Sequence, residues 1–252
     1  MKAMVFAAGL GTRLRPLTNN MPKALVPLDG IPMLQRVICN IRDCGITDIV
    51  VNIHHFGQQI IDFLAQNHNF DVNITISDER DLLLDTGGGI LKARALLDGN
   101  EPFLVHNADI FTDLNLKDII NSHSNSNSDV TLLVKQRDTQ RYLVFNEQDR
   151  MIGWTNISSG ETKPAGLLLN DTHHKLAFGG IHIISPSIFD SLSKFSSEPK
   201  FSIMQYYIAS CNSINIQGFN PDGYNWFDIG KIDTLHKAED FLHAKHSEAH
   251  RI

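Results

Sequence analysis

The chain has 252 residues, 42% of them hydrophobic and 20% charged, enough to bury the core of one large domain or two small ones. Its formal net charge of −6 argues against a general nucleic-acid binder, whose phosphate contacts need a basic face. Three cysteines, Cys39, Cys44 and Cys211, form no C-x-x-C and no paired framework, which fits free thiols in a reducing, cytoplasmic compartment. The apolar opening run is broken by Gly9, Gly11 and Arg13, against a secretory leader, and no later stretch has membrane-spanning length.

In chain order, AMVFAAG predicts a buried strand that runs into a glycine loop. PMLQRVICNIRDCG predicts a helix, with Pro32 in the first turn, Leu34, Val37, Ile38 and Ile41 at helical spacing, and Gly45 at its end. DIVVNI predicts a strand, GQQIIDFLAQN a helix, VNITIS a strand, GGGILKARALL a helix, PFLVHNAD a strand and LNLKDIINSH a helix. Such alternation argues for a mainly parallel sheet covered on both faces. SHSNSNS, around residues 122–128, reads as a polar loop with no packing capacity, either a surface connection or a lid. Beyond it DVTLLVK, RYLVFNE, DRMIGWT and KLAFGGIHIIS predict strands, and SPSIFDSLSK, SIMQYYIAS and IDTLHKAEDFLHAKH predict helices. No internal repeat is visible.

The opening loop lacks the Walker pattern G-x-x-x-x-G-K-[ST], and Leu14 stands where a dinucleotide fingerprint needs its third glycine. What remains is a strand, a tight glycine turn and fixed positive charge at Arg13, Arg15 and Lys23. Backbone N–H groups freed by glycine can face phosphate oxygens, Arg13 adds a planar fork, and Lys23 a mobile point charge. Pro16 and Pro22 stiffen the stretch between the cations. Glycine turns and basic surface faces are also common without any ligand.

Residues 7–28, AAGLGTRLRPLTNNMPKALVPL, resemble the signature of the sugar-1-phosphate nucleotidyltransferases, G-x-G-T-R-L-x-P-L-T followed by P-K-x-L-x-P. The resemblance implies a three-layer, Rossmann-like α/β fold with a mixed, mainly parallel sheet. It implies a single domain over 1–252, with a nucleotide-binding lobe (1–125) and a sugar-binding lobe (126–252) that ends in a helix. Ala8, Gly9, Gly11, Thr12 and Arg13 would then hold the nucleoside triphosphate, and Lys23 would reach the reacting phosphates. Thr86, Gly87 and Gly88 in LLLDTGGGILKA match the positions that read base and ribose, with Asn107 nearby.

Asp109 closes an apolar strand, which puts a carboxylate at the sheet edge where open α/β folds bind ligands, although strand-end aspartates are often only turn caps. Asp228 in WFDIG matches the family's W-x-D-I/V-G element. By resemblance it joins Asp109 on Mg²⁺, a hard ion that takes carboxylate and phosphate oxygens. Gly179 and Gly180 match the family's sugar-side strand. Leu143 stands where many relatives carry a glycine, and WTNISSGETKP matches the sugar-binding E-K-P element poorly.

Twelve histidines invite a metal reading. His236, His243, His246 and His250 are spaced to share a helix face, with no cysteine or carboxylate in sequence to complete a shell. His54 and His55 end a strand on the ligand side, open to a structural or a substrate role, and His173 and His174 read as loop surface. Within the family, LLDTGGGILKA and PFLVHNADI most resemble the N-acetylmuramate-1-phosphate uridylyltransferases, while guanylyltransferases for mannose or heptose 1-phosphate share much of the pattern. An inactive nucleotide-sugar sensor is the alternative of another class. The implied partners are a nucleoside triphosphate and a sugar 1-phosphate, with no nucleic acid and no membrane, and the chain acting as monomer or dimer.

Overall fold

The computed structural model describes residues 1–249. The chain forms two compact units. The first, here the loop unit, comprises Ala3–Leu83, His106–Leu114 and the chain from Gly223 onward; the second, the strand unit, comprises Met1–Lys2, Leu84–Val105 and Asn115–Asp222.

In the loop unit, strands Lys2–Phe6, Asp48–Ile53 and Asn73–Asp78 pair in parallel, with Met4 opposite Val50 and Val51 opposite Ile76. Ile49–Ile53 are buried without interruption, as a strand covered on both faces requires. Helix Met33–Asp43 buries the predicted stripe, Leu34, Val37, Ile38 and Ile41, and Met33 in addition. Pro32 is its N-cap, not a first-turn residue, and Gly45 leaves the helix at φ +101°. Helix Gly57–Gln66 follows the second strand as predicted.

The closing helix, Ile232–Ala249, belongs to this unit. Leu235, Ala238 and Leu242 share a buried cluster with Leu14, Val26, Leu28, Met33 and Ile229. Phe111, Phe227 and Phe241 extend it, with ring centroids 5.4–6.4 Å apart. The opening loop therefore stands on a core shared with the last helix.

The strand unit has mixed pairing. His174–Ile184 runs antiparallel to Val130–Lys135 and to Arg141–Phe145, Met151–Asn156 lies between Arg141–Phe145 and the short Glu161–Lys163, and Ile216–Phe219 joins Val130–Lys135 in parallel. Its helices include Asp85–Lys92, Leu116–Asn125 and Ile203–Ser210. The glycine-rich helix starts two residues before Gly87 and breaks at Ala93. SPSIFDSLSK forms only a 3-10 turn, Pro186–Ile188, and a four-residue helix, Phe189–Leu192.

The polar run near residue 122 is not the predicted loop throughout. The helix continues to Asn125, because His123 is buried and supplies the anchor that composition hid. Its ring nitrogens meet Thr131 Oγ1 at 2.9 Å and Ser185 Oγ at 3.1 Å, and Ser128 closes the cluster. Among the described residues, no helix is long and apolar enough to cross a membrane.

Candidate active site

The opening loop is held from inside. Asn52 Oδ1 accepts from Ala7 N at 2.8 Å and Ala8 N at 3.3 Å, and Asn52 Nδ2 donates to Glu79 Oε1 at 2.8 Å. Both side chains are buried. Ala8 thus turns its amide inward, away from any ligand. His54 Nδ1 donates to the Glu79 carbonyl at 2.7 Å, which gives that histidine a structural bond, while His55 is exposed beside Phe56.

Beyond Ala8 the chain turns at Gly11, with φ +65°. A Cβ there would sit 2.9 Å from Thr18 Cγ2 and 3.0 Å from Lys23 Cβ, so both conformation and space demand glycine. The Gly11 carbonyl accepts from Leu14 N at 2.9 Å and Thr18 Oγ1 at 2.8 Å, folding residues 11–18 back on themselves and drawing Lys23 against the loop. Leu14 is buried in the core, whereas Gly9, Thr12, Arg13 and Arg15 are exposed. One apolar anchor thus leaves its charged neighbours facing out.

The two aspartates meet through a ladder that sequence reasoning missed. Ile110–Thr112 pairs antiparallel with Trp226–Asp228, setting Asp228 opposite Ile110, and Ile229 N donates to the Asp109 carbonyl at 2.8 Å. Asp109 and Asp228 are therefore offset by one residue across adjacent strands. Asp109 forms an ion pair with Lys23, whose side chain is only 13% exposed. Asp228 Oδ1 is buried and finds no hydrogen-bond partner among the described residues. A Cβ built on Gly230 would lie 2.6 Å from that oxygen and 2.9 Å from Arg13 Nη2, so the acid and the guanidinium flank one point. Thr234 Oγ1 ties the Asp228 carbonyl to the first turn of the closing helix at 2.6 Å.

An unpartnered buried carboxylate oxygen is costly unless something positive or protic meets it. Arg13 flanks it, and the neighbouring strand ends at Asp109 with its Lys23 partner, a set of groups that suits a hard divalent cation together with a polyanion. Among the described residues no three His, Cys, Asp or Glu side chains cluster as metal ligands. Mg²⁺ needs no such cage, since it keeps waters and shares phosphate oxygens with one or two carboxylates.

Asn107 ends its strand half-buried, its carbonyl accepting from His106 Nδ1 at 2.9 Å. The remaining candidates lie in the strand unit. Gly87 N and Gly88 N donate to the Phe201 carbonyl at 2.9 and 3.2 Å, and Thr86 Oγ1 accepts from Ile203 N at 2.9 Å. A Cβ on Gly88 would lie 2.1 Å from the Pro199 carbonyl oxygen, and one on Gly87 2.3 Å from the Phe201 ring. The close approach these glycines serve is to the 199–201 segment. Gly179 and Gly180 lie in an irregular stretch of the His174–Ile184 strand, where register against Val130–Lys135 shifts between Phe178 and His182.

Two histidines of the closing helix do find a carboxylate, from far away in sequence: Asp29 lies 3.1 Å from His243 Nε2 and 3.8 Å from His246 Nδ1. His250 lies outside the described residues. His174 opens a strand and faces Asp149 at 3.4 Å, whereas His173 is in the loop before it.

Residues 2–245 match the family model described as Nucleotidyl transferase. The chain belongs to that family. It is 30% identical over 240 residues to the N-acetylmuramate alpha-1-phosphate uridylyltransferase of Neisseria meningitidis serogroup B, covering 95% of this chain and 97% of that protein. It is 29% identical over 238 residues to a mannose-1-phosphate guanyltransferase of Schizosaccharomyces pombe, covering 92% of this chain and 61% of that longer protein. Its fold matches the crystal structure of a putative glucose-1-phosphate thymidylyltransferase from Bacillus anthracis, with TM-score 0.78 over 96% of this chain and 94% of that one at 18% identity. The nucleotidyltransferase fold, with its mixed sheet and flanking helices, is thus the one the opening signature implied.

Proposed function

We propose that this nucleotidyltransferase joins a sugar 1-phosphate to a nucleoside triphosphate, N-acetylmuramate 1-phosphate with UTP, and releases pyrophosphate. The observation that carries the reaction is that one unit holds the Lys23–Asp109 pair and the Arg13–Asp228 flank of Gly230, with Asp228 Oδ1 left without a partner among the described residues. The choice of substrates rests on the similarity to the Neisseria protein, which runs nearly end to end in both chains.

In this reading an oxygen of the sugar phosphate attacks the α-phosphorus, a new P–O bond forms, and the bond to the β-phosphate breaks in line. Both reactants are anions, so the protein's work is alignment and charge neutralisation. Gly9, Gly11 and Thr12 offer loop backbone to the triphosphate, and Arg13 holds the departing pyrophosphate. Lys23 gives its donors to the α-phosphate region once phosphate oxygens compete with Asp109 for them. Asp109 and Asp228 hold Mg²⁺, which when bound offsets negative charge around the phosphates. Asn107 serves the nucleotide from the loop unit, while in the strand unit Thr86, Gly87 and Gly88 serve base and ribose through the helix start that the 199–201 segment holds, and Gly179 and Gly180 serve the sugar. Ala8 serves through its fixed backbone, since its amide belongs to Asn52.

The deciding experiment is a matrix of UTP, GTP, CTP and dTTP against several sugar 1-phosphates, read by pyrophosphate release. Turnover with UTP and N-acetylmuramate 1-phosphate above all other pairs is expected. A preference for GTP with mannose 1-phosphate would favour the second reading, which the similarity to the guanyltransferase supports. No release with any pair would leave a nucleotide-sugar sensor.

A further inference from the structure

The ladder that carries Asp228 to Asp109 is three residue pairs long and joins segments more than a hundred residues apart. A two-stranded ladder that short is marginal by itself, and a slip of one residue would turn every side chain to the opposite face. One end is closed by the bond from Ile229 N to the Asp109 carbonyl. The other end is closed by side chains. Asp113 Oδ1 accepts from Asn225 N at 2.6 Å, and Asp113 Oδ2 accepts from Asn225 Nδ2 at 2.9 Å and Lys245 Nζ at 3.3 Å. Asp113 N donates back to the Asn225 carbonyl at 3.3 Å, and Thr112 Oγ1 donates to the same carbonyl at 2.7 Å.

We infer that Asp113 and Asn225 are positioning residues, a register clamp that sets Asp228 beside Asp109 and so determines how well the pair holds a divalent cation. The chemistry suits the task. A carboxylate that takes both the backbone and the side-chain amide of one residue fixes that residue's position along the strand as well as its distance. The bond from Lys245 ties the clamp to the closing helix, whose first turn already holds Asp228 through Thr234. Outer-shell partners of this kind tune metal affinity without touching the ion.

The inference rests on the proposed metal pair, and Mn²⁺ separates the two. Mn²⁺ binding to the full chain in the presence of UTP is followed by its paramagnetic resonance, alongside the half-saturating Mg²⁺ concentration for pyrophosphate release. Asp113→Ala should weaken both about tenfold, with KM for UTP at saturating Mg²⁺ moved far less. Asn225→Ala, which keeps the backbone bond to Oδ1, and Asp113→Asn, which keeps an acceptor for it, should fall between that variant and the unchanged chain. These two carry the test if Asp113→Ala does not fold. Lower melting temperatures with unchanged Mn²⁺ affinity would make the clamp merely structural and overturn the inference, leaving the metal pair intact. Failure of the unchanged chain to bind Mn²⁺ with UTP would overturn the metal pair itself, and the clamp's role with it.

Discussion

The loop unit and the strand unit both contain the glycine and polar positions that a family signature marks, yet they use them differently. In the loop unit, Lys23 pairs with Asp109, Arg13 and Asp228 flank Gly230, and Asp228 Oδ1 is left without a hydrogen bond among the described residues. In the strand unit, Gly87 and Gly88 are closed against Phe201 and Pro199, their amides already engaged. The contrast teaches that a glycine motif reports close approach without saying what approaches, whereas unsatisfied charge points to something outside the protein.

The largest test of this contrast is to remove the charge. Asp228→Ala or Asp109→Ala should lower turnover roughly a hundred- to a thousandfold; the melting temperature should be little changed or raised in Asp228→Ala, which removes a poorly satisfied acid, and lowered in Asp109→Ala, which strips Lys23 of its partner. Near-normal turnover in both purified variants would end the assignment of the pair. In the strand unit the loss should appear as stability instead. Gly88→Ala drives a methyl into a carbonyl oxygen 2.1 Å away, and backbone cannot give way as a flexible side chain can. Its cost should be about 3 kcal/mol, the upper end for overpacking, read as a shift in urea midpoint. A variant as stable as the unchanged protein but with a raised KM for the triphosphate would mean that Gly88 serves the ligand more than the packing.

Much of this could be read before the fold was known, and the limits have physical causes. The 33–43 helix and the parallel strands declare themselves because their periods run over several repeats. The ladder between Ile110–Thr112 and Trp226–Asp228 does not, because three residues hold too few repeats to show a period and pairing across such a separation leaves no local mark. Asn52 and Glu79 could have been found. An asparagine inside the apolar run DIVVNI must bond something once buried, and the groups within reach are the amides of Ala7 and Ala8, where the adjacent parallel strand runs into the opening loop. His123 hid for the opposite reason, since its polar neighbours masked a buried anchor in what composition presents as loop.

Asn52 gives the next test, between the two kinds of effect. Asn52→Ala strips the acceptor from Ala7 N and Ala8 N and the donor from Glu79, at about 2 kcal/mol by the usual cost of unsatisfied buried groups. Because the amides it frees begin the opening loop, KM for the triphosphate should rise as well. A stability loss with unchanged KM would make Asn52 a core residue only.

The smallest expected effect compares one histidine from each unit. Burial pushes the pKa of His106 down from 6.5 to about 4, with the bond to the Asn107 carbonyl and the charge of Asp109 offsetting it only in part. Arg36, Cys39 and Asp43 line the same cavity of about 340 Å³ as His106. Burial also lowers the pKa of His123, opposed by Asp129. For a histidine kept neutral in the fold, the unfolded chain binds the extra proton between 6.5 and the depressed folded value. Stability is therefore intact above 6.5 and falls as the solution is acidified through that window. For His106 the loss at pH 5.5 is roughly 1.4 kcal/mol. Urea unfolding at pH 7 and pH 5.5 should show this loss shrinking in His106→Gln, which keeps a donor for the Asn107 carbonyl. Substituting His123 should shrink it less, because hydroxyls that can turn to either protonation state surround its ring. An undiminished loss in His106→Gln would place the proton uptake elsewhere and remove the distinction between the two buried rings.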